Sequence, residues 1–296
     1  MRVVIAGGTG LIGRALTAAC ASKGYEALVL SRRPVPGDAR SLLWDGASSG
    51  PWQEALDGAD AVVNLAGESV ADGRWNPARK KVLSDSRLNS TRALVAAISV
   101  SKKRPKVFIS ASATGYYGDR GEDALNEGSP AGSDFLAGLC AAWEREAQVA
   151  EPLGIRTVCL RTGIVLSKDG GALGKMLPIF KLGLGGPLGS GSQWMSWIAL
   201  EDLLDLILYS MSHDVAGPVN GTAPNPVTNK DFTAALARVL GRPAFLPAPA
   251  FVLRLALGEM SGMLLGGQKV MPQKALESGF VFKHPQVEAA IRAALG

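Results

Sequence analysis

Short apolar runs alternate with stretches of helical period along the first half of the chain. The runs at 3–6, 27–30, 61–65, 107–110 and 157–160 are four or five residues long and rich in Val, Ile, Leu and Ala, with no polar alternation. That is the pattern of strands buried on both faces, as a parallel sheet requires. The stretches 11–22, 77–100 and 134–152 repeat their apolar residues at helical spacing and stand between those runs. Strand and helix in turn predict parallel strands joined by crossover helices, an α/β fold with a doubly wound sheet. GESVADGRWN, between the third strand and the long helix, is polar enough to be a loop over a ligand. After Val165 the chain turns glycine-rich, in SKDGGALGK and KLGLGGPLGSGSQW, before WIALEDLLDLILYSM restores a strand and helix. The expected organisation is a nucleotide-binding unit at 1–168 with a returning segment near 196–222, and a smaller lobe from 169–195 and 223–296. The cleft would lie between them.

Composition narrows the function classes. With 296 residues, 47% hydrophobic and 19% charged, the chain can bury one large core, alone or with a small appended lobe. Its net charge of +5 comes from 31 scattered basic residues, the densest group being SKKRPK at 101–106. Scatter of this kind favours an anionic small ligand over a nucleic-acid surface. Cys20, Cys140 and Cys159 are too few and too far apart for a disulfide framework or a zinc site, and two histidines leave metal hydrolysis and Ser-His catalysis unsupported. Met1-Arg2 passes straight into VVIAGG without a leader-like stretch, and no run reaches the ~18 apolar residues of a membrane span. The expectation is a cytoplasmic protein with no membrane partner.

The strongest motif is VVIAGGTGLIGRAL, a strand running into Gly7-x-x-Gly10-x-x-Gly13 and then a helix. Gly7 suits the tight turn, Gly10 the approach of a pyrophosphate, and Gly13 close packing of helix on strand. Thr9, Leu11 and Ile12 complete the loop. At the end of the second strand a carboxylate would hold an unphosphorylated ribose, whereas this chain carries Ser31, Arg32 and Arg33. Guanidinium groups there suit a 2'-phosphate, which predicts NADP(H). Ala66 and Gly67, which follow Leu65 at the end of the third strand, are small enough to let backbone pass close to the adenosine.

With GGTGLIG, SRRP, VNLAGE, SDSR, RTGIVLSKDGGAL, KLGLGGPLGSG and WIALEDL in order, the chain resembles the extended short-chain dehydrogenase/reductase superfamily. The likeness is to its NAD(P)-dependent epimerase/dehydratase branch, and within that to an atypical epimerase-family subgroup. It implies a Rossmann sheet with a C-terminal substrate lobe, and it places Arg87 and Arg161 near the cofactor, each of which also suits a structural ion pair. In ISASATGYYG, Ser112 aligns with the superfamily's catalytic serine. The tyrosine-lysine pair expected downstream is missing; Leu136 and Cys140 stand in its place. Tyr116 and Tyr117 are the nearest phenols, able to serve as acids but poor bases, or simply to wall the pocket. Three functions remain open: an NADPH-dependent reductase of a small carbonyl-type substrate, a catalytically weak NADP(H) sensor linked to cell division, and a nucleotide-sugar epimerase. The long helix at 77–100 is a candidate homodimer contact, or a cover for the sheet.

Overall fold

A computed structural model describes residues 1–33 and 40–296; Pro34 of the SRRP motif lies outside them. The apolar run after Met1 forms β1 (Arg2–Ala6), followed by α1 (Leu11–Ser22), β2 (Glu26–Ser31) and β3 (Ser41–Leu43). The chain then crosses to β4 (Ala61–Asn64), α2 (Pro77–Val100) and β5 (Val107–Ala113). A two-residue β6 (Ala124–Leu125) precedes α3 (Phe135–Gln148) and β7 (Arg156–Thr162). All of these strands except β6, together with β11, below, make one seven-stranded sheet in the order β11-β7-β5-β4-β1-β2-β3, with every pairing parallel. From β1 the chain winds one way to β3, and from β4 the other way. That reversal opens a crevice above the carboxyl ends of β1 and β4.

Both faces are covered, as the unbroken apolar runs require. Val3 and Ile5 share a core with Leu16 and Cys20 of α1 and with Leu203, Leu206 and Ile207 of a later helix. Val4 and Ala6, pointing the other way because side chains alternate along a strand, pack with Leu94, Ala97 and Ile98 of α2. The apolar stripe of α2 is thus buried on the sheet. A homodimer through α2 would have to use its outer face, where Lys81 pairs with Asp85 and Arg92 with Glu146.

The rest of the chain contributes β8 (Ile164–Leu166), α4 (Gly171–Lys181), β9 (Trp194–Met195), β10 (Trp197–Ala199), α5 (Leu200–Ser212) and β11 (Gly217–Gly221). It ends with β12 (Val227–Thr228), α6 (Asn229–Leu240), α7 (Ala250–Leu257), α8 (Gly262–Leu265), β13 (Lys269–Val270), α9 (Gln273–Glu277) and α10 (Val287–Leu295). A separate cluster around Phe180, Trp197, Phe232, Leu236 and Ile291 packs this part. No helix among the described residues is long and apolar enough to cross a membrane.

Three expectations change. β3 and β11 are sheet edges that the apolar pattern did not predict, Pro218 being tolerated because β11 is an edge strand. β5 runs on to Ala113, so Ser112 lies inside a strand, opposite Arg161. The helix expected over 134–152 stops at Gln148, and Pro152 sits in a separate 3-10 turn. Trp197 is fully buried in the C-terminal core, and Trp194 donates through Nε1 to Glu122 at 2.8 Å.

Candidate active site

The turn after β1 is built around missing side chains. Gly7 has φ +77°, and a Cβ there would lie 2.7 Å from the Leu65 carbonyl carbon, so the turn and the end of β4 touch backbone to backbone. On Gly13 a Cβ would come within 2.3 Å of the Gly7 oxygen, which locks α1 against the loop. On Gly10 it would meet nothing nearer than 3.4 Å. Gly10 caps α1 without any side-chain hydrogen bond, leaving the first-turn N–H groups of Leu11, Ile12 and Gly13 without a side-chain acceptor. Thr9 is exposed beside them, its carbonyl accepting from Arg14 Nη1 at 2.8 Å. Open backbone donors at a helix N-terminus, over an unfilled space, fit a pyrophosphate.

Around this loop lie the other residues expected at the cofactor. Ser31 is buried, its Oγ accepting from the Arg33 N–H at 3.1 Å, which shapes the turn out of β2. Arg32 and Arg33 are exposed on that turn. Arg32 donates through Nη1 to Glu68 at 2.9 Å, and no carboxylate stands on the end of β2 itself. Leu65, Ala66 and Gly67 leave β4 along the crevice, fixed by the buried Asn64, which accepts from the Ala66 N–H at 3.1 Å and donates to Thr91. Arg87 lies under this segment. It donates to the carbonyls of Leu83 and Glu68 at 3.0 Å each, and its guanidinium faces the Trp143 ring at 5.2 Å. Burial pulls its pKa below the usual range, with Cys140 and Glu68 opposing. The glycine loop, the β2 end and the β4 end thus meet at one crevice, and their donors suit a dinucleotide with a phosphorylated ribose.

The catalytic expectations fare differently. Ser112 is buried, and its hydroxyl donates to Glu144 Oε1 at 2.7 Å. Glu144, on α3, also accepts from Arg161 Nε and Nη2 at 2.8 Å each. A hydroxyl has one proton to give, so in this arrangement Ser112 has none for a substrate oxygen. Arg161 is only 3% exposed and spends Nη1 on the Tyr117 phenol at 3.0 Å and the Glu127 carbonyl at 3.3 Å. Burial opposes its charge, but Glu144 more than offsets that and holds its pKa above the usual range. Its place is therefore under the site, as an ion-pair partner, and not against a cofactor.

Tyr117 is fully buried and donates to Asn220 Oδ1 at 2.7 Å. Burial pushes its phenol up to about 12, the Arg161 charge pulling partway back. Its proton goes to Asn220, so in this arrangement it has none for a substrate oxygen. Tyr116 is half-buried, stacked 3.4 Å from the Arg161 guanidinium and packed with Tyr117, Leu125 and Val270. Neither ring lines the neighbouring cleft. Sequence reasoning missed Glu144 and Asn220, which absorb both donors. One signal was available: an acid four residues after Cys140, in the apolar stripe of α3.

That cleft has a volume of about 390 Å³. Trp75 from the loop after β4, Gly115 from the turn after β5, and Phe135 and Leu136 at the start of α3 form one wall. Arg254 of α7 and Met263 and Leu265 of α8 form the other. Leu136, at the position of the absent tyrosine, thus faces the space directly. Cys140 lies one turn further along α3, buried, its thiol pushed up to about 11 by burial and then by Glu144.

Residues 3–223 match the NAD dependent epimerase/dehydratase family, and residues 248–294 match a domain of unknown function, DUF1731. The chain is 41% identical to the chloroplastic SDR39U1 homolog of Arabidopsis thaliana, an epimerase family protein, over 99% of this chain and 86% of that one. It is 40% identical to the epimerase family protein YfhF of Bacillus subtilis, over 98% and 97%. The crystal structure of human SDR39U1 (isoform 2) with NADPH superposes with a TM-score of 0.92 at 38% identity, covering both chains completely.

Proposed function

The chain belongs to the NAD-dependent epimerase/dehydratase family, and from that premise we propose that it is an NADPH-dependent reductase of a small carbonyl-type substrate bound in the cleft beside Leu136. The observation that carries this reading is the cleft itself. It opens at the carboxyl end of the sheet, is walled by the loops after β4 and β5 and by the C-terminal lobe, and has the size of a small-molecule site. NADP(H) is the cofactor: the human relative is crystallised with NADPH, and here the 2'-phosphate would meet Arg32 and Arg33. When bound, NADPH supplies hydride.

The residues at the superfamily's acid-base positions favour the reducing direction. Oxidation of an alcohol, and epimerisation by transient oxidation, both start with removal of a proton. Leu136 and Cys140 occupy the positions of the family's base pair, Tyr117 is held up at about 12, and the Cys140 thiol at about 11. Reduction starts with hydride, and the product oxygen can take its proton from water entering the cleft. The substrate should therefore be an electron-poor carbonyl, whose reduction leans least on a protein acid. A second reading, an NADP(H)-holding protein with little turnover, draws on the Ser112 hydrogen bond to Glu144, which ties up the superfamily's usual donor.

The test is consumption of NADPH by the purified protein, followed by loss of absorbance across a panel of aldehydes, ketones, quinones and nucleotide sugars. Steady oxidation with one carbonyl class supports the reductase. Tight NADPH binding with no consumption on any acceptor supports the holding protein instead.

A further inference from the structure

We infer that Glu68 is a positioning residue for cofactor selectivity, holding Arg32 where a 2'-phosphate would bind. The inference rests on the reading that this crevice takes NADP(H). Glu68 ends the VNLAGE segment, and its backbone is pinned to α2 on both sides: its N–H donates to Ser86 Oγ at 3.1 Å, and its carbonyl accepts from Arg87 at 3.0 Å. The carboxylate therefore projects from a rigid base. It reaches across the crevice to Arg32, thirty-six residues earlier in the chain, on the turn leaving β2.

That ion pair is one-sided. Only Nη1 of Arg32 contacts Glu68, at 2.9 Å, while the arginine side chain remains 72% exposed. Its remaining donors stay accessible, and a guanidinium can present two of them side by side to a phosphate. A long exposed side chain ordinarily loses its rotamer freedom when it grips a ligand. Here that ordering precedes binding. Glu68 would still repel a phosphate if it stood alone, but Arg79 lies 3.9 Å from its other oxygen and is itself anchored to the Ser69 carbonyl at 2.6 Å. Two guanidinium groups thus share one carboxylate, and the cluster keeps a net positive charge for the incoming anion.

NADPH and NADH differ only at the 2'-phosphate, so NADH serves as an internal control for an intact crevice. Dissociation constants for both should be measured by fluorescence titration on the unmodified protein, Glu68→Gln, Arg32→Ala and the double variant. Glu68→Gln should weaken NADPH by about three- to tenfold and leave NADH within about twofold. In the Arg32→Ala background it should have no further effect on NADPH. If Glu68→Gln leaves the NADPH preference unchanged or increases it, the inference is overturned, an increase meaning that Glu68 competes with the phosphate. An unmodified protein that binds NADH as tightly as NADPH would instead defeat the underlying reading of Arg32, and this one with it.

Discussion

A methyl group placed on Gly10 would meet only the Gly7 carbonyl oxygen at 3.4 Å, whereas on Gly13 it would stand 2.3 Å from the same atom. The two glycines thus do different work despite sharing one motif. Gly10 has φ −74° and ψ 175°, a conformation open to branched residues, so Gly10→Val should fold normally while its side chain occupies the space over the α1 N-terminus. Binding of NADPH should fall beyond detection, with an unchanged circular dichroism spectrum. Loss of the spectrum, or retained binding, would contradict this division of labour. The motif was legible because its constraints are local and steric. The chemistry of ISASATGYYG was not, because the partners that claim Ser112 and Tyr117 come from 32 and 103 residues further along the chain. A serine hydroxyl and a phenol look available in a sequence until the acceptors that claim them are known.

The same contrast holds for whole elements. β1, β2, β4, β5 and β7 were readable because strands covered on both faces need unbroken apolar runs, and their crossover helices need one apolar stripe each. β3 and β11 were not. Ser41 and the Gly-Pro-Val-Asn-Gly run of β11 carry no such pattern, and these edges exist because β2 and β7 offer them unpaired backbone groups. α3 shows what a stripe can conceal: Leu139, Cys140, Trp143 and Ala147 are buried with Glu144 among them. That carboxylate joins α3 to β5 through Ser112 and to β7 through Arg161. Removing one charge of a buried pair typically costs 3–5 kcal/mol, because the other is left uncompensated. Glu144→Gln should therefore lower unfolding free energy by about 3 kcal/mol, and Ser112→Ala by about 1 kcal/mol. Urea denaturation of both variants would measure this. A loss below about 1 kcal/mol for Glu144→Gln would mean that the pair does not join these elements.

Taken as one molecule, the fold buries acids that ionise only in strong base. Cys20 and Cys140 are raised from 9.0 to about 11 by burial, Tyr117 from 10.0 to about 12, and Cys159 further still. In each case the folded state binds the proton more tightly than the unfolded chain does. Stability is therefore whole below about pH 9, where both states are protonated, and is lost as pH climbs through the folded values. The window follows from the thiols first, from pH 9 to about 11, with Tyr117 extending it to about 12. For the deeply buried Cys140 the loss should approach about 1 kcal/mol per pH unit within that window. The Tm should accordingly fall steadily above pH 9 while staying flat from pH 7.5 to about 8.5. Cys140→Ala has its own packing cost at every pH, so the slope and not the absolute Tm is the quantity to compare. That slope should be shallower than in the unmodified protein, since one of the buried acids is gone. An identical slope would place the alkaline loss elsewhere, in the lysines and surface charges, and would mean that the Cys140 thiol titrates in the folded protein as it does in the open chain.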